Sequence, residues 1–118
     1  MLVKEPCFIQ LKSSSSTLVH VPKGHTIFMP EQLVNYIYHL HEGVVGMFVN
    51  TDGGHEILTK ISLPNNFLGL YAFSNMDNFE NHFHYAEARA LTDVKYCKIK
   101  REEMWHMLDD REFRAKVL

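Results

Sequence analysis

The stretch NYIYHLHEGVVGMFVNTDGGHEILTKI, residues 35–61, decides the fold. Residues 35–40 are aromatic and β-branched and read as a strand, which Glu42-Gly43 interrupts. VVGMFV, residues 44–49, is a nearly continuous apolar run, the pattern of a buried strand. Asn50-Thr51-Asp52-Gly53-Gly54 is a strong hairpin signal, and residues 55–61 form the returning strand. Three strands joined by tight turns point to an antiparallel β fold.

The pattern continues on both sides. Upstream, Ser13 to Ser16 read as a loop, and TLVHV (residues 17–21) and HTIFM (residues 25–29) as strands around a Pro22-Lys23-Gly24 turn. Downstream, Leu63-Pro64-Asn65-Asn66 turns the chain, and residues 72–81 read as a loop or a short helix. HYAEARAL, residues 84–91, has period two. His84, Ala86, Ala88 and Ala90 share one face, and Tyr85, Glu87 and Arg89 share the other. The alanine face suits a tight interior. VKYCKI, residues 94–99, is the last strand. Only the end is helical: Met104, Met107 and Leu108 repeat at i, i+3 and i+4. Asp109 stands three residues before Glu112, as in a capping box, so a second helix is expected there with Phe113 and Val117 on one face. The tally is seven or eight short strands and then helix, which predicts a small sandwich or jelly roll.

Composition narrows the function. At 118 residues the chain is one domain, and its 46% hydrophobic and 22% charged residues are ordinary globular values. The formal charge of −2 leaves no basic excess to hold a phosphate backbone. Cys7 and Cys97 form no CxxC; they could be joined, but a lone pair is more often two free thiols. The N-terminus carries Lys4, Glu5 and Pro6 and is no signal peptide, and no 18-residue apolar run exists, so a cytoplasmic domain is expected. No nucleophile and base stand in a recognisable motif, which argues against an enzyme.

In order along the chain come PKGHTIF, YIYHLHEGVVGMFV, DGGHEIL, NNFLG and ARALTDVKYCKIKREEMWHML. Together they resemble the effector domain of the Crp/Fnr family of transcription regulators. Tyr38, Leu40, Gly43 and Val45 occupy the family's strand positions, and Gly54 and Glu56 its hairpin. Phe67 and Gly69 match the segment after it, and Arg89, Ala90 and Thr92 the next strand. The resemblance covers roughly residues 20–118. It implies a mainly β, double-stranded β-helix (jelly-roll) domain with short flanking helices. It implies that residues 1–118 are a single cyclic-nucleotide-binding-like sensor domain. A dimerisation helix is expected to begin near Asp110, with Phe113, Val117 and Leu118 at its start and a homodimer as the result. DNA would be met only through a helix-turn-helix domain absent from this chain.

Members that bind a cyclic nucleotide place a Glu after the Phe-x-Gly, for the ribose hydroxyl, and an Arg-Ser pair further on, for the phosphate. Here Leu70 follows Gly69, and the Arg-Ser pair falls on His84-Tyr85, with a somewhat longer connection before it. Asn65-Asn66 stand where the family has Gly-Asp. Leucine cannot accept a ribose hydroxyl, and a neutral histidine gives at most one donor. Losing the charged partner of a buried phosphate costs on the order of 2–5 kcal/mol. The cassette is degenerate, so cAMP and cGMP are not expected to bind at micromolar concentration. The equivalent pocket would use Gly69, Leu70, Tyr71, Phe73, His84, Tyr85 and Ala86. That lining suits a small apolar or aromatic effector, or is filled by its own side chains. No cofactor is expected.

The eight histidines raise one competing reading. His39-x-His41 on a strand, with Glu42 after it, suggests a metal-binding cupin, also a jelly roll. A strand puts Glu42 on the face opposite the two histidines, and no second cupin motif follows. No metal is therefore expected, and His20, His25, His55 and His106 read as exposed.

Overall fold

A computed structural model describes residues 16–73 and 82–117. Among these, eight strands form two four-stranded sheets: β1 Thr17–Val21, β2 Thr26–Phe28, β3 Tyr36–Glu42, β4 Val45–Asn50, β5 Glu56–Ser62, β6 Phe67–Leu68, β7 Glu87–Ala90 and β8 Val94–Lys100. One sheet has the order β1-β8-β3-β6 and the other β2-β7-β4-β5. All pairings are antiparallel. Strands 1 and 8, 2 and 7, 3 and 6, and 4 and 5 pair, as in one long hairpin bent at the β4–β5 turn and rolled up. That is the jelly roll, mainly β, that the strand pattern predicts. Helices α1 (Arg101–Met107) and α2 (Arg111–Val117) follow β8.

The core has two compartments. Between the sheets lie Phe28, Tyr38, Leu40, Val45, Met47, Leu68, Val94, Tyr96 and the alanine face of Ala86, Ala88 and Ala90. Behind the first sheet, Val34, Ile37, Cys97, Ile99, Met104 and Leu108 join it to α1. Strand β3 is therefore covered on both faces, and Ile37 through Leu40 are all buried. This double cover is why the decisive segment shows no hydrophobic alternation.

The structure differs from the sequence reading at several edges. Strand β3 runs through Glu42 instead of ending at Leu40, with its register shifted between Leu40 and Glu42. Strand β7 begins only at Glu87, so His84 and Tyr85 precede it. Phe67–Leu68, read as part of a connection, pairs with β3. The cap of α2 is Asp110, not Asp109: its carboxylate accepts the Glu112 N–H at 2.9 Å. Residues 74–81, most of the segment left as loop or helix, lie outside the described residues, as do Cys7, Leu118 and the side chains of Phe113 and Val117. Cys97 is fully buried in the second compartment. His20, His25, His55 and His106 are exposed as expected.

Gly43 closes the β3–β4 turn at φ +91°, and a Cβ there would collide with the Asp93 carbonyl oxygen. The same loop supplies the Thr92 hydroxyl, which accepts the Val44 N–H at 3.0 Å. The Gly43 and Thr92 positions of the sequence pattern thus brace one corner of the roll.

Candidate functional site

The site is built where the chain leaves β6. Gly69 takes φ +97°, and a Cβ there would stand 3.3 Å from the Tyr36 carbonyl oxygen and from Ile37 Cδ1. Only glycine makes that turn at no steric cost. A single 3-10 turn, Leu70–Phe73, follows and swings Tyr71 toward the segment that carries His84.

His84 is locked in the interior. Its backbone N–H donates to the Gln32 carbonyl and its carbonyl accepts the Glu31 N–H, both at 2.8 Å. The imidazole stacks on Phe28, centroids 3.6 Å apart and planes 14° from parallel. The Tyr71 hydroxyl and His84 Nδ1 are hydrogen-bonded to each other. Burial pushes the imidazole down to about 4 from its ordinary 6.5. Burial likewise raises the Tyr71 hydroxyl. Tyr85 packs edge-on against Tyr71 at 5.2 Å.

Beside this pair opens a pocket of about 250 Å³, lined by Met47, Lys60, Phe67, Leu68, Gly69, Leu70, Tyr71 and Tyr85. Four residues named from the sequence, Gly69, Leu70, Tyr71 and Tyr85, are in the wall. His84 lies behind Tyr71, and Ala86 is in the core between the sheets. The backbone of Phe73 ends the 3-10 turn, and its side chain lies outside the described residues. Met47, Lys60, Phe67 and Leu68 were not foreseen. Met47 could have been found by alternation along β4. Lys60 could not, because the β4–β5 register shifts between Met47 and Phe48.

The guanidinium in this part of the fold is committed elsewhere. On the outer face of the second sheet, Arg89 donates to both oxygens of Glu56, at 2.9 and 2.6 Å, and to both of Glu87, at 3.0 and 2.9 Å. It also lies 4.3 Å over the Phe48 ring. The Arg89 hydrogen bonds hold both carboxyls below their usual range. Arg89 therefore ties β7 to β5 and leaves no fork for a phosphate. The metal reading gains nothing. His39 packs on Phe67 at 4.6 Å, and among the described residues no group of three His, Cys, Asp or Glu could hold a metal ion.

Solved structures share this architecture. The N-terminal domain of a transcriptional regulator from Streptomyces coelicolor A3(2) superposes with TM-score 0.72 at 21% identity, over 93% of this chain and 73% of that one. Thermus thermophilus catabolite activator protein gives TM-score 0.73 at 22% identity, over 91% of this chain and 48% of its own. The sensor domain of the transcriptional regulator DNR from Pseudomonas aeruginosa gives 0.71 at 22% identity, over 86% and 66%. The chain thus spans about half the length of that catabolite activator protein. No curated protein matches the sequence. No helix among the described residues is long and apolar enough to cross a membrane. The profile of the cyclic nucleotide-binding domain matches residues 18–111, most of the chain and the whole of the jelly roll from Leu18 onward, so the chain belongs to the cyclic nucleotide-binding domain family.

Proposed function

We propose that residues 1–118 are the effector-sensing domain of a Crp/Fnr-type transcription regulator, and that this domain does not answer to cAMP. The observation that carries the second half is His84. It stands where the family's phosphate-binding Arg falls, and it is a buried, neutral ring held between Phe28 and the Tyr71 hydroxyl. Leu70, in place of the ribose-binding Glu, lines the pocket. A cyclic phosphate brought here would lose its hydration against a mostly apolar wall whose cation, Lys60, offers no bidentate fork for its oxygens. The wall suits a small apolar or aromatic effector.

The first half rests on family membership and on neighbours whose names describe transcriptional regulators. The mechanism is a population shift. An effector bound beside the 3-10 turn biases the packing of the roll against α1 and α2. A homodimer through the C-terminal helix, with Phe113, Val117 and Leu118 at its start, carries that bias to a DNA-binding domain outside these residues.

Titration calorimetry of the domain with cAMP and with cGMP tests the reading. No saturable heat is expected at micromolar ligand; saturable micromolar binding of either nucleotide overturns it.

A further inference from the structure

Resting on the reading of this pocket as the effector site, we propose that its ligand is a small amphipathic monoanion: an apolar or aromatic body bearing one carboxylate, with Lys60 as counter-charge. Among the described residues the walls are Met47, Phe67, Leu68, Leu70 and the two tyrosines, with Lys60 the one charged residue and no carboxylate in the lining. At about 250 Å³ the space falls below the roughly 300 Å³ at which drug-sized ligand pockets begin, so the body is small.

Lys60 is placed there by an irregular strand. Met47 pairs with Lys60 but Phe48 with Leu58, leaving Thr59 as the extra residue of a bulge. The Thr59 hydroxyl donates to the Met47 carbonyl at 3.2 Å and pins it. The bulge puts Lys60 on the same side as the buried Met47, while Leu58 falls beside Phe48 on the other side. Lys60 makes no ion pair among the described residues, whereas Arg89, Lys95 and Arg101 each have a carboxylate partner. Lys60 is solvent-exposed, and as a single cation beside an apolar wall it matches one negative charge.

An exposed lysine on an edge strand also discourages edge-to-edge pairing, but that role is blind to the charge of a ligand. Calorimetry with octanoate and benzoate, each against its neutral amide, separates the two. Each acid is expected to bind about threefold tighter than its amide at low salt, as for a solvent-exposed charge pair. The preference is expected to vanish in Lys60→Gln and to survive in Lys60→Arg, both checked for native circular dichroism. Equal binding of acid and amide, or a preference that persists in Lys60→Gln, overturns the inference and leaves the apolar-effector reading standing. No binding of acid or amide overturns that reading and this inference with it.

Discussion

His84 shows what burial does to one imidazole. Phe28 covers one face of the ring and Tyr71 meets Nδ1. Its affinity for protons falls to about 4, below the ordinary 6.5. Between those values the unfolded chain binds the extra proton, so stability is full above pH 6.5 and is lost as pH falls toward 4. The loss between pH 6.5 and 4.5 amounts to about 2–3 kcal/mol at 1.36 kcal/mol per unit. Glu56 and Glu87 act with the same sign, but only below the usual carboxylate range. Urea unfolding at the two pH values is expected to show this slope, and His84→Gln is expected to remove most of it. An unchanged slope in the variant would show that His84 is not the titrating group.

At the scale of elements, the β4–β5 hairpin, the alanine face of β7 and helix α1 were legible, because each states its period locally. Asp52-Gly53 names the turn, alternation names the inner face, and Met104, Met107 and Leu108 name the helix stripe. The two-residue strand β6 was not legible. Its pairing with Tyr38 and His39 is a long-range contact, and Leu63-Pro64-Asn65-Asn66 before it reads only as a turn. The cap of α2 was misplaced by one residue because Asp109 and Asp110 are chemically equal, and the backbone path chooses between them. Helix α1 is seven residues long and lacks a side-chain cap, so packing must hold it. Met104 is wholly buried against Ile37 and Ile99 of the sheet. Met104→Ala is therefore expected to cost about 2–5 kcal/mol, read as a lowered urea midpoint with the slope unchanged.

At the scale of the molecule, strand β3 belongs to both compartments, with Tyr38 and Leu40 in one and Ile37 in the other. The two halves of the core therefore cannot come apart separately. Trp105, packed against the second compartment, reports on α1, while far-ultraviolet dichroism reports on the strands. Their urea transitions are expected to coincide; a Trp105 transition at lower urea would mean that α1 melts alone.

The sequence by itself determined the architecture. Strand periods, turn residues and the ordered motif set are local properties. The tertiary structure alone decided what surrounds His84 and what lines the pocket. Whether His84 would face the pocket or the core depended on Phe28 and Tyr71, which are 56 and 13 residues away along the chain. Lys60 entered the wall only through a bulge between paired strands. Contacts across sheets and shifts of register arise from closing the roll, and no local pattern encodes them.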